Sequence, residues 1–319
     1  MKRRGSAILA EKKEEGNMKN RIWITGVILS FVVMLATCGG HHGSVVITGV
    51  VTTLAGIAGD PGSLDATGTA ATFHTPYGIA TDGTNLYVAD TGNSTIRKVV
   101  ISTGVVTTLA GSGATGSADG IGTLASFNLP FGITTDGTNL YVADTGNSTI
   151  RKVVISTGEV TTLAGTAGVP GSADGTGTAA MFHTPYGLVI YGTSLFVTDT
   201  GNSTIRTINV ASGAVTTFLG MAGVPGSTDG IGAAARFQSP CGVTTDGSIL
   251  YITDTANSTV RKVVISSGAV ATLAGYPGFF GSNDGTGIGA RFYHPVGITS
   301  FVSILYVTDT LNSTIRRVQ

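Results

Sequence analysis

The chain has 319 residues, no formal net charge, and 48 glycines against only 11% charged and 7% aromatic side chains. Residues 1–37 hold seven Lys or Arg and three Asp or Glu; residues 38–319 hold eleven and fifteen, about four net negative. No basic cluster survives beyond the N-terminal segment, which excludes a nucleic-acid footprint. The glycines stand at fixed places between Val-, Ile-, Thr- and Tyr-rich runs, which excludes low-complexity disorder.

The first element is a targeting segment over 1–37. Ile22 to Ala36 is a mostly apolar run of 15 residues behind Lys19 and Arg21. It is short for a membrane span, which needs roughly 20 residues, and it has the basic flank and apolar stretch of a secretory signal. Residues 1–17 fit such a signal poorly, so translation is expected to start at Met18. The run ends Leu35-Ala36-Thr37-Cys38-Gly39-Gly40, which resembles a bacterial lipobox with Thr37 as a departure. The resemblance implies lipidation of Cys38; ordinary cleavage and a retained anchor are the other readings. Residues 38–44 then form a short flexible tether. The second cysteine, Cys241, stands where other copies of the repeat carry Tyr, Phe or Val, so a buried apolar role is expected rather than a disulfide.

From residue 45 onward one unit is written repeatedly. Phe73, Phe127, Phe182, Phe237 and Phe292 open five copies at spacings of 54, 55, 55 and 55 residues, the signature of a repeat architecture. Each copy contains four short strand-like runs, in the first copy Tyr77–Thr81, Leu86–Asp90, Thr95–Ile101 and Val105–Leu109, separated by Gly/Asn/Asp turn signals. Four antiparallel strands joined by tight turns make the blade of a β-propeller. The predicted fold is all-β, with blades over about 73–111, 127–165, 182–220, 237–275 and 292–319. The last copy stops after its third strand, whereas residues 45–56 match a fourth strand lacking its first three. The N-terminal strand is therefore expected to complete the last of five blades and clasp the ring; a sixth blade lacks sequence to build it.

"PYGIATDGTNLYVADTGNSTIRKV" closely resembles the NHL repeat, through Pro-x-Gly, the Leu-Tyr-Val-x-Asp strand and the Asn-x-x-Ile-Arg segment, over about residues 50–319. The resemblance implies a propeller that binds proteins, carbohydrates or RNA, in a family where six blades are commoner than five and a minority act as metal-dependent lyases or hydrolases.

The five copies separate scaffold from candidate site. Asp90, Asp144, Asp199, Asp254 and Asp309 recur, with Asn93, Asn147, Asn202, Asn257 and Asn312 and with Arg97, Arg151, Arg206, Arg261 and Arg316. Asp closes one strand and Arg opens the next, so they are expected to pair, with Asn, which tolerates left-handed backbone, shaping the turn between them; a ring of charges facing a partner is the other reading. The Asn residues also begin five Asn-Ser-Thr sequons, read here as copied turn chemistry. The long connections carry one carboxylate each (Asp65, Asp119, Asp174, Asp229 and Asp284), expected to cap turns. One carboxylate per loop falls short of a calcium site.

Two positions break the repetition. His74, Asn128, His183, Gln238 and Tyr293 follow the opening Phe, with His294 beside the last; Tyr77, Phe131, Tyr186, Cys241 and Val296 stand between Pro and Gly. Both precede or begin the first strand of a blade, which in a propeller lines the central channel. A ligand-binding mouth is expected from His74, Tyr77, Asn128, Phe131, His183, Tyr186, Gln238, Tyr293 and His294. Phe279 and Phe280 in the last connection and Leu311 in the last hairpin also depart from the repeat. No Ser/His/Asp, Cys/His or paired-carboxylate constellation is present. The expected function is a non-catalytic binding or scaffold module, exported and lipid-anchored at the bacterial cell envelope. Its partner would be a protein or a carbohydrate, with membrane contact only through the anchor and no nucleic acid. No cofactor is expected. The alternative is a metal-dependent lyase or hydrolase with calcium or zinc at the mouth.

Overall fold

A computed structural model describes residues 51–319 of the protein. The expectations for the signal segment, Met18, Cys38, the tether and residues 45–50 lie outside these residues. The described residues build five antiparallel sheets, one per sequence copy. Blade 1 consists of Pro76–Thr81, Asn85–Asp90, Thr95–Val100 and Val106–Ala110, in that order across the sheet. Blades 2 to 4 repeat this order, and each gains a two-residue outer strand from the preceding connection: Gly120–Ile121, Gly175–Thr176 and Gly230–Ile231. The expectation of four strands per blade is thus exceeded in three blades, because the connection runs antiparallel past the fourth strand before turning inward. Among the described residues no helix is long and apolar enough to cross a membrane.

Successive blades are joined by contacts that recur copy by copy. The alternating strand pattern places Tyr87, Ile96, Phe127, Ile133 and Leu140 in one apolar cluster between blades 1 and 2. Equivalent clusters fill the next three interfaces. Near the axis, Thr91 Oγ1 donates to the Pro130 carbonyl at 2.6 Å, and Thr145, Thr200 and Thr255 bond Pro185, Pro240 and Pro295 in the same way. In blades 1 to 4 the Gly of Pro-x-Gly has a packing reason. A Cβ on Gly78, Gly132, Gly187 or Gly242 would overlap the carbonyl oxygen of Phe131, Tyr186, Cys241 or Val296 in the next blade.

The pattern stops at the seam between blade 5 and blade 1. Blade 5 contains Pro295–Phe301, Ile304–Asp309 and Thr314–Val318, three strands among the described residues. A Cβ on Gly297 would meet only Thr308 of its own blade, and the Thr310 equivalent of the inter-blade threonine bond is not made. Ile79 is 61% exposed where Ile133 and Leu188 are 7% and 6%, and Ile315 is 69% exposed where Ile96 is fully buried. Residues 51–55 match the fourth-strand sequence Val106–Ala110, yet they form no strand and do not pair with Thr314–Val318. They lie instead against blade 1, where Gly56 N donates to the Gly68 carbonyl at 3.1 Å, as Gly111 N does to Gly122 in the next blade. Toward blade 1, residues 51–56 thus take the place that a preceding blade's fourth strand takes toward the next blade, while the pairing with Thr314–Val318 is not formed by the described part of residues 45–56.

Candidate functional site

The recurring charged residues form a buried strut in every blade. In blade 1 the guanidinium of Arg97 donates through Nη1 to Asp90 Oδ2 (2.8 Å) and the Thr72 carbonyl (3.0 Å). Its Nη2 donates to Asp65 Oδ1 (2.7 Å) and the Leu64 carbonyl (3.1 Å). Asn93 Nδ2 donates to Asp90 Oδ2 at 2.8 Å and to the Gly62 carbonyl at 2.7 Å, tying the hairpin to the incoming connection. The opening Phe73 lies over the guanidinium, 5.0 Å from Cζ to the ring centre. The same contacts recur around Arg151, Arg206, Arg261 and Arg316. All five hairpin aspartates are fully buried, as are the first four arginines, so they present no charged ring to a partner. The Asn side chains are consumed internally, which leaves the sequons as turn chemistry.

Two details differ from expectation. Asp65, Asp119, Asp174, Asp229 and Asp284 do not cap turns; each pairs with the arginine of its own blade. In blades 1 to 4 each also accepts from a fourth-strand threonine, Thr108, Thr162, Thr217 or Thr272. The left-handed residue of each hairpin is not Asn but the following Ser94, Ser148, Ser203, Ser258 or Ser313, with φ between 53° and 58°.

The buried aspartates feel opposing forces. Burial pushes Asp144 and Asp199 above the ordinary carboxylate range against the hydrogen bonds and arginine that favour their charge. Asp254 is pushed up to about 6, again by burial, with Arg261 opposing. Its oxygens accept only from N–H donors, namely Gln238 N, Asn257 Nδ2 and Arg261 Nη1 at 2.7 to 2.8 Å, a donor set that fits the carboxylate form.

The residues between Pro and Gly converge on the axis. Tyr77 and Phe131 meet edge-on at 4.8 Å between ring centres, Phe131 stacks on Tyr186 at 4.8 Å, and Tyr77 reaches Tyr186 at 5.9 Å. These rings line a cavity of about 490 Å³ to which the first strands of all five blades contribute, with Val296 and Thr310 from blade 5. Burial, then the Tyr77 hydroxyl, raises the Tyr186 phenol far above its ordinary value. Cys241 is buried beside the cavity, and burial raises its thiol too, so it is not an activated nucleophile.

His74, Asn128, His183, Gln238 and Tyr293 are placed differently. The main-chain N–H of each donates to the hairpin aspartate of its blade, at 2.6 to 2.7 Å. The side chains of His74, Asn128 and His183 cover Gly92, Gly146 and Gly201 of the hairpins. None of the five lines the axial cavity, and the structure does not bring His74 and His183 together. Among the described residues no three His, Cys, Asp or Glu side chains form a group fit to hold a metal ion.

A second aromatic group stands at the entrance to blade 5. Phe280 stacks on Tyr293 at 4.6 Å and 21°, and His294 meets Tyr293 edge-on at 5.7 Å. Tyr276 and Phe279 pack edge-on at 5.0 Å, with Arg291 over the Tyr276 ring. Phe279, Phe280, Tyr293 and His294 each stand out in the sequence as departures from the repeat, whereas Tyr276 and the stack do not. The available signal was that Tyr276 replaces Ile57, Ser112, Thr166 and Met221 of the other four connections.

Five radially arranged antiparallel sheets, a glycine-spaced axis and a buried Arg–Asp–Asn strut per blade define a β-propeller with an axial cavity. The chain is an NHL-repeat β-propeller. No family model matches it. It is 31% identical over 266 residues to NHL repeat-containing protein 2 of Homo sapiens, covering 72% of this chain and 36% of that protein. It is also 31% identical over 283 residues to Protein SUPPRESSOR OF QUENCHING 1, chloroplastic, of Arabidopsis thaliana, covering 82% and 26%. The chain thus spans about a quarter to a third of the length of these curated relatives. An auxiliary nutrient binding protein from Bacteroides thetaiotaomicron shares the fold with a TM-score of 0.53 at 17% identity, over 77% of this chain and 69% of that one.

Proposed function

We propose that the protein is a non-catalytic binding or scaffold propeller of the bacterial cell envelope, exported and held by a lipid on Cys38. It engages a protein or carbohydrate through the face that carries the inter-blade connections. The observation that carries this reading is the Tyr77–Phe131–Tyr186 group in the axial cavity: it occupies a position where the copies differ, over a scaffold whose polar residues are consumed in struts. Such a cavity offers flat apolar surfaces and few polar groups, the makings of a recognition site. The fold shared with a nutrient binding protein supports the same reading.

Capture from envelope extracts tests it. Immobilised full-length protein should retain a specific partner that a Tyr77→Ala, Tyr186→Ala variant loses. Equal recovery by both would overturn the assignment of the mouth. Stoichiometric zinc or calcium in the purified protein, lost in His74→Ala or His183→Ala, would overturn the non-catalytic reading. Cys38→Ser should move the protein to the soluble fraction; unchanged fractionation would refute the anchor.

A further inference from the structure

We propose that the aromatic group at the entrance to blade 5 is a platform for a neutral saccharide, on a surface separate from the axial cavity. The inference rests on the binding-module reading above and narrows the class of ligand.

The repeat supplies the control. Phe279 stands where the other connections have Asp60, Val169 and Val224, and Phe280 replaces Pro61, Pro170 and Pro225. Tyr293 replaces His or amide residues, and Leu311 replaces Gly92, Gly146, Gly201 and Ala256 of the other hairpins. Four blades assemble without these side chains, so the scaffold does not need them. They are also left in the open: Phe279 is 62% and Phe280 66% exposed, beside the exposed Leu311. Apolar rings grouped on a soluble surface mark an interaction site.

The platform is held in place from both sides. Gly278 N donates to the Asn257 carbonyl of blade 4, and Phe279 N closes a turn onto the Tyr276 carbonyl at 3.0 Å. Gly281 N donates to the Phe292 carbonyl, while Asn312 Nδ2 of blade 5 donates to the Gly281 carbonyl at 2.7 Å. A surface fixed before binding loses little freedom when a ligand lands.

Charge and shape select the ligand. Residues 276–283 carry no charge. The adjacent Arg291 is occupied, its Nη1 donating to the Ile288 and Ala290 carbonyls at 2.6 and 2.8 Å and its guanidinium lying over Tyr276. The rings stand on a hydrogen-bonded turn, not on a free strand edge and not along a groove, so neither strand addition nor helix docking fits. What remains is a flat ring face bordered by phenol and imidazole groups. A pyranose offers the matching surface: a patch of C–H bonds for the ring and hydroxyls for the polar border.

The test is native affinity electrophoresis of the full-length chain in gels containing dextran, xylan, galactomannan or mixed-linkage β-glucan. At least one should retard the protein, and Phe280→Ala should weaken the apparent affinity about tenfold, the loss of one stacking contact. Phe279→Ala should act in the same direction, whereas Leu124→Ala, an exposed apolar side chain on the connection to blade 2, should not. Both Phe side chains are exposed, so an unchanged urea midpoint will show the variants folded. Absence of retardation by any of these glycans overturns the proposal, as does retardation unaffected by Phe280→Ala. Retardation abolished by Tyr186→Ala alone overturns the platform but leaves the binding-module reading standing at the cavity. Partner capture that fails while glycan retardation persists does the opposite to the protein-partner arm of that reading.

Discussion

Replacing Arg206 by Met tests whether the buried struts hold the blades. The thioether retains apolar contact with Phe182 but removes the two ion pairs, Nη1 to Asp199 at 2.9 Å and Nη2 to Asp174 at 2.6 Å, together with bonds to the Met181 and Ala173 carbonyls. Asp199 then stays fully buried, held only by His183 N and Asn202 Nδ2 at 2.7 Å. Breaking one side of a buried pair costs about 3–5 kcal/mol, because the surviving charge has neither water nor partner. Adding Asp199→Asn removes that charge and should return about 1–2 kcal/mol, since a buried pair replaced on both sides is often close to neutral. The pH dependence has a definite sign. Burial already raises Asp199, and losing Arg206 raises it further. Such a group favours the folded state below its unfolded pKa, and the advantage is lost as pH rises through the folded value. The deficit of the single variant should therefore shrink in acid. Urea unfolding of wild type, single and double variants measures all three quantities. A single-variant cost under about 1 kcal/mol, or a double variant no better than the single, would refute the strut argument.

Gly132→Ala should destabilise by about 1–3 kcal/mol, as its Cβ overlaps the Tyr186 carbonyl, whereas Gly297→Ala, facing only Thr308, should cost much less; thermal unfolding compares them. Tyr87, pushed up to about 12 by burial and then by Asp82, should ionise well after an ordinary phenol, with stability falling between about pH 10 and 12. Asp82→Asn should bring tyrosinate absorbance to lower pH; an unchanged onset would remove Asp82 from the account. Cys241 should resist alkylation in the folded protein and react on unfolding, followed by mass spectrometry.

Local spacing made much of this molecule readable. Asp90 and Arg97 are seven residues apart across one hairpin, so their pairing and the role of Asn93 lie within reach of a sequence. The role of Asp65 is not legible in the same way, because its partners Arg97 and Thr108 lie 32 and 43 residues downstream, brought together only by the way the connection wraps the outer edge of the blade. The stack of Phe280 on Tyr293 likewise joins two side chains thirteen residues apart that both depart from the repeat, and only the fold of the connection brings them together. The five blades were legible from the repeat; the clasp at the seam was inferred from its offset ends, and residues 51–55 carry the sequence of a fourth strand without the pairing to Thr314–Val318.

That seam sets an order of melting. Each blade is coupled to its neighbours through a shared apolar cluster and a threonine bond, and four such couplings exist among the described residues. An array with nearest-neighbour coupling loses its terminal units first. Among the described residues blade 5 has three strands and one interface, so its amides should exchange with solvent earliest while those of blade 3 persist longest. The aromatic turn at residues 276–281 bridges blade 4 to this weakest member.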